Sequence, residues 1–160
     1  MDRRTLLATV CGVGVATLAG CGADDGGSGT PAATDTPTQT VSMIDSEFTV
    51  DGTGSGQQTD DATVSVDGGT VTVEGTIWGA DGCTTAELAG ADYDAAADEL
   101  TVAVATTDRE PTGTEAIACT QAIVEIAYTA TVTFDSGLPG TVVVTHDHGD
   151  GPEAVTTASP

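Results

Sequence analysis

Lysine and asparagine are missing from all 160 residues, and the only arginines are Arg3, Arg4 and Arg109. Set against 25 aspartates and glutamates and a formal charge of −22, the shortage of basic side chains rules out a nucleic-acid partner. Carboxylates repel phosphate and leave no counterions to be released. The lack of asparagine excludes N-linked glycosylation, which needs Asn-x-Ser/Thr. Aromatic residues make up only 3% of the chain, so any core must be built from valine, isoleucine, leucine and alanine. Catalytic patterns are absent as well. There is no Gly-x-Ser-x-Gly, no Walker loop and no His-Glu-x-x-His, and both histidines lie in one tripeptide. The chain reads as a protein that is not an enzyme.

Long apolar runs are also lacking. The stretch Leu6 to Leu18 falls short of the ~20 residues needed to span a bilayer and is interrupted by Gly12 and Gly14. It is preceded by Arg3-Arg4-Thr5-Leu6-Leu7 and followed by Leu18-Ala19-Gly20-Cys21. The paired arginine ahead of a short apolar segment resembles a twin-arginine export signal, and Leu-Ala-Gly-Cys resembles a lipobox. The resemblance implies that residues 1–20 are a cleaved signal peptide and that Cys21 carries the lipid. Two acyl chains at ~0.8 kcal/mol per buried methylene anchor stably where one is marginal. The protein is therefore expected on the extracellular face of the cell membrane, with the membrane as a partner through the lipid.

Removal of residues 1–20 leaves Arg109 as the one strongly basic side chain. Such a charge repels itself in dilute buffer, but at molar salt the Debye length falls to ~3 Å and most of that penalty disappears. Twin-arginine export, a lipobox, an acidic lysine-free composition and a Thr-rich spacer together resemble the lipoproteins of halophilic archaea. The resemblance covers the signal, the tether and the composition.

Residues 21–42 consist mainly of Gly, Ser, Thr, Pro, Asp and Ala, bury nothing large and read as a flexible linker behind the lipidated Cys21. A single domain is expected over residues 43–150 and a disordered tail over 151–160. Within the domain, Val64 and Val66 alternate with polar residues, as do Val71, Val73 and Ile77, which predicts a hairpin turning at Asp67-Gly68-Gly69. A second hairpin joins Thr85–Tyr93 to Glu99–Thr106 through Asp94–Asp98. The longest strand pattern, Ile123 to Phe134, places Val124, Ile126, Tyr128, Ala130, Val132 and Phe134 on one face. Residues 135–140 then turn the chain into Thr141–His146. Only Ala86–Ala97 carries any helical spacing. The pattern favours an all-β antiparallel sandwich of six or seven strands over a closed barrel, a choice the sequence leaves open.

Cys11 leaves with the signal and Cys21 takes the lipid, so Cys83 and Cys119 remain to form one disulfide outside the cytoplasm. Closing that loop stabilises the fold by roughly 4 kcal/mol on a chain-entropy estimate. Trp78 lies on the opposite parity from Val71, Val73 and Ile77, which places it beside Cys83 or in the role of an exposed aromatic platform. A tryptophan covering a disulfide resembles immunoglobulin-like domains. The order Trp78, Cys83, Cys119 departs from their Cys…Trp…Cys pattern, so the resemblance extends to architecture alone.

His146 and His148 form the one pair with metal-ligand spacing, since His-x-His on a strand turns both rings to one face. Zinc or copper are the ions that such a pair takes. The competing reading is an ordinary polar strand terminus, and no third ligand is identifiable. Asp92, Asp94, Asp98 and Glu99 lack EF-hand spacing for calcium and read as a solvated acidic turn. No cofactor is implied beyond that candidate metal. Two functions remain: a non-catalytic surface lipoprotein that contributes to the envelope structure or binds a protein, glycan or small ligand, or an exported metal-binding protein using His146 and His148.

Overall fold

The computed structural model describes residues 40–110 and 118–160. The expectations for the 1–20 signal, for Cys21 and for the linker as far as residue 39 fall outside these residues. Eight strands run in chain order: β1 Ser42–Ser55, β2 Asp61–Asp67, β3 Thr70–Gly79, β4 Thr84–Asp94, β5 Glu99–Asp108, β6 Val124–Asp135, β7 Thr141–Asp147 and β8 Glu153–Ala158. They form a β-sandwich of two four-stranded sheets, ordered β1-β6-β3-β2 and β4-β5-β7-β8.

The two hairpins follow from local chemistry. Val64 faces Val73 and Val66 faces Val71 across the β2–β3 ladder, and Gly68 turns the chain at φ 60°. The β4–β5 turn is closed by Asp94, whose Oδ1 accepts from the amides of Ala96 (2.8 Å) and Ala97 (3.2 Å). Asp98 takes the left-handed conformation there at φ 53°, which aspartate tolerates better than most residues. Asp98 also accepts the Tyr93 hydroxyl at 2.7 Å, so these acids organise a turn. Ala86–Ala97 is strand and turn, and its helical spacing is overridden by this pairing.

The six or seven antiparallel strands expected are eight, and one pair is parallel. The first sheet is antiparallel throughout, whereas β5 and β7 run parallel in the second, with Leu100 opposite Val142 and Val102 opposite Val144. The reason is that β6 crosses to the other sheet between them, so the chain re-enters the second sheet from the same end. The tail expected over 151–160 contains β8, which pairs with β7 and places Val144 opposite Thr156. β8 is six residues long with Val155 as its one large apolar side chain, so its sequence lacks the alternation that marks a half-buried strand. β1 is interrupted by register shifts at Met43/Asp45 and Val50/Gly52, which break its parity.

One apolar cluster fills the space between the sheets. Val71, Val73 and Ile77 of β3, Val102 and Val104 of β5, Ile126 and Val132 of β6, and Val142 and Val144 of β7 are all completely buried. The strand registers define two ends. The β2–β3, β4–β5 and β6–β7 turns gather at one, where β1 also begins. The β1–β2, β3–β4 and β5–β6 connections and the β7–β8 turn gather at the other.

Candidate functional site

The inward face of β7 reads Val142, Val144, His146, so the third position of an apolar row carries an imidazole that is 1% exposed. A buried polar ring must be satisfied, and both its nitrogens are. The Nδ1 lies 2.8 Å from Asp60 Oδ1, and the Nε2 lies 2.7 Å from the Tyr128 hydroxyl of β6. Burial pushes the His146 pKa down and so favours the neutral ring, outweighing Asp60, whose carboxylate favours the charged one. A neutral imidazole has one donor and one acceptor. The carboxylate can only accept, so Nδ1–H donates to Asp60 and the Tyr128 hydroxyl donates to Nε2. Burial in turn raises the Tyr128 pKa well above that of a free phenol, with the charges of Asp60 and Asp61 adding to the effect.

Tyr128 has room for its hydroxyl because its cross-strand neighbour on β3 is Gly75. A methyl group at Gly75 would overlap that hydroxyl. Asp60 arrives from the β1–β2 connection, which is tied down by Glu125 of β6. The Glu125 Oε1 accepts from the Gln57 amide at 3.2 Å and the Thr59 hydroxyl at 2.8 Å. Those two hydrogen bonds hold the Glu125 carboxyl below its usual range.

His148 lies one residue past β7 and donates from Nε2 to both oxygens of Asp60, at 3.0 and 3.1 Å. The turn that places it is closed by Asp147, whose Oδ1 accepts from Gly149 (2.7 Å) and Gly151 (3.0 Å). Both glycines have positive φ, 100° and 112°, which side chains disfavour. The His148 ring stacks on Trp78 with centroids 4.5 Å apart and planes 21° from parallel. A chain of contacts therefore runs Tyr128, His146, Asp60, His148, Trp78, from the centre of the core to the end of the sandwich.

There it meets an open cavity of about 410 Å³. Trp78 and His148 form one side, and Thr84, Thr106, Thr107 and Asp108 contribute to the rest. Four strand ends converge here, those of β3, β4, β5 and β7. The β3–β4 turn is shaped by Asp81, whose Oδ1 accepts from the amides of Cys83 (2.8 Å) and Thr84 (3.1 Å) and from the Thr84 hydroxyl (3.2 Å). A methyl on Gly79 would overlap the Thr84 side chain, so glycine lets the two segments approach. Cys83 is bonded to Cys119, as the cysteine count predicts. The Gly82 amide also donates to Thr120 O at 2.9 Å, fastening the β5–β6 connection beside the cavity.

His146 and His148 do turn toward one group, and that group is Asp60, which no motif identifies. Among the described residues, the three potential metal donors lying within 4.8 Å of one another are Asp81, Cys83 and Cys119. The disulfide ties up both sulfurs of that set, leaving no thiolate. Coordination by His146 would have to displace either Asp60 or Tyr128. Trp78, expected beside Cys83 or as a platform, is half-buried against His148 and borders the cavity. Arg109 forms no ion pair among the described residues; its amide donates to Cys83 O at 2.7 Å. No family model, curated protein or solved structure matches the chain.

Proposed function

We propose that the chain is a non-catalytic, lipid-anchored surface protein whose β-sandwich binds a small polar ligand at the Trp78–His148 cavity. The cavity carries this reading. Its volume of about 410 Å³ falls within the ~300–1,000 Å³ of small-molecule sites. It combines an aromatic wall with hydroxyl and carboxylate groups, which is what orients a polar ligand.

Two further observations support the arrangement. β1 begins at the opposite end of the sandwich, so the linker enters the domain away from the cavity and leaves the cavity clear of the membrane tether. The buried histidine has both nitrogens in use, and the only reactive-type cysteines described are bonded to each other. What the geometry offers is a rigid, shaped, polar surface.

The anchoring half is tested by Cys21→Ser, which should move the protein from the membrane fraction to the medium. Persistence in the membrane fraction would sink it. The binding half is tested by saturation-transfer NMR of the purified protein against a small-molecule mixture of sugars, amino acids and organic cations in molar KCl. Any signal should vanish in Trp78→Ala; a signal that survives that change lies elsewhere.

A further inference from the structure

We infer that the ligand of this cavity is a neutral saccharide unit, held by the Trp78–His148 wall and by the Asp108 carboxylate with the neighbouring threonine hydroxyls. The inference rests on the cavity being the ligand site and adds the chemical class.

The lining restricts that class. The indole face turned away from His148 is a flat apolar surface of the kind that suits the C–H face of a pyranose; Thr107 brings a hydroxyl that both donates and accepts, while Thr84 and Thr106, whose protons go to Asp81 and to the Asp147 carbonyl, offer acceptors. Asp108 is acceptor-only when ionised and selects a ligand that presents hydroxyl donors. Among the described residues, no hydrogen bond engages the Trp78 indole N–H, the Thr107 hydroxyl or the Asp108 carboxylate. Three polar groups at one cavity are thus free to meet a polyhydroxylated partner.

Anionic sugars fit poorly. A carboxylate or sulfate on the ligand would meet the Asp108 carboxylate that lines the cavity. The net charge of −22 works in the same direction. The same charge draws cations toward the cavity, but recognition of a quaternary ammonium uses several aromatic faces enclosing it, whereas here His148 covers one face of Trp78 and leaves a single indole face.

The contact chain behind the wall now acquires a purpose. A lone surface tryptophan would pay rotamer entropy on binding, but Trp78 is stacked on a ring that Asp60 grips through both oxygens. Asp60 is itself fixed by His146, which Tyr128 holds from the core. Asp60 is a positioning residue in this scheme: it stays out of the cavity lining and sets the orientation of the wall.

The test uses the full lipid-anchored protein, extracted in a sugar-free detergent in molar KCl, with calorimetry and saturation-transfer NMR. The probes are glucose, galactose, mannose and maltose, with glucuronate, tetramethylammonium and zinc chloride as contrasts. At least one neutral sugar should bind saturably, and glucuronate about tenfold or more weaker than glucose. Trp78→Ala and Asp108→Asn should each weaken the sugar by about tenfold. Asp60→Asn should weaken it less and broaden the Trp78 indole resonance, a change that loss of a mere surface charge would not cause. Thermal melts of each variant separate lost binding from lost folding. Saturable binding of tetramethylammonium, or of zinc, abolished by Trp78→Ala or His148→Ala and with no sugar response, overturns the saccharide assignment and leaves the cavity as a ligand site. Silence toward every probe overturns the assignment together with the reading it rests on.

Discussion

The two ends of this sandwich are closed by different physics. Where the β2–β3, β4–β5 and β6–β7 turns gather, the core is sealed by apolar and aromatic packing: Leu100 and Val142 are fully buried, and Tyr93 meets Phe134 edge-on at 5.4 Å. At the other end the inward row of β7 finishes in His146, which is hydrogen-bonded to Tyr128 deeper in the core and to Asp60, itself held by His148, with a disulfide alongside. The apolar end needs only shape and volume. The polar end needs each donor matched to an acceptor, and a satisfied network of that kind holds one arrangement more strictly than interchangeable methyl groups do. The cavity lined by Trp78 and His148 sits at this polar end, where the network holds the two rings in one place.

The contrast can be broken from either side. The largest loss is expected at the polar end from Cys83→Ser/Cys119→Ser, about 4 kcal/mol in a urea titration, since the crosslink restricts a long loop in the unfolded chain. Leu100→Ala at the apolar end should cost about 3 kcal/mol by loss of buried volume, with the same value at every pH where the protein folds. Gly75→Ala tests the room made for Tyr128. It should cost about 2 kcal/mol in the wild type and less in a Tyr128→Leu background, where neither the hydroxyl nor the ring carbon that bears it is left to strike. Equal costs in both backgrounds would place the strain at the Asp61 carbonyl, which a methyl at Gly75 would also meet. Tyr128→Phe by itself should cost about 1–2 kcal/mol, because it orphans His146 Nε2 in the core.

The smallest effect is the pH dependence, and it separates the two ends most cleanly. Burial lowers the His146 pKa from 6.5, so the unfolded chain takes up that proton more readily than the folded one. This contribution to stability is complete above the unfolded value and is lost as pH falls through the lowered folded value. Urea midpoints should therefore drop on acidification below about pH 6.5, and His146→Gln should flatten that part of the profile. The Leu100→Ala curve should run parallel to the wild type. A wild-type profile that His146→Gln leaves unchanged would place the titration in other groups.

Much of the framework can be read directly from the chain. The β2–β3 hairpin carries its turn residues between alternating valines, β5 alternates Leu100, Val102 and Val104 behind an acidic turn, β6 keeps one parity from Val124 to Phe134, and Cys83 and Cys119 are the cysteines among the described residues. These features are local or exclusive. β1 and β8 escape such a reading because register shifts at Met43/Asp45 and Val50/Gly52 break the parity of β1, and because β8 is six residues long with Val155 as its one large apolar side chain. The parallel β5–β7 pair depends on where β6 goes, which no short window records. At the site, the histidine pair is visible from its spacing, but its true partner is not. Asp60 is one acid among 25, and it meets His146 across a sequence separation of 86. Tyr128 is equally concealed, since its parity marks it as core and nothing in the pattern reveals where the hydroxyl goes.

The position of β1 also governs how the chain can assemble. Its ladder partner is β6, with Ser55 opposite Val124 and Ser42 opposite Asp135, so the first strand synthesised has no sheet to join until the sixth exists. The β5–β7 pair likewise waits for β6 to dock elsewhere. Only the hairpins can form early, and closing the remaining pairs across long stretches of chain puts folding on the order of milliseconds to seconds. Throughout that interval β1 is an unpaired strand of 14 residues, open to pairing with the same strand of another copy. Asp45, Glu47 and Asp51 lie along it, exposed, and their mutual repulsion between copies guards the strand until its own partner arrives.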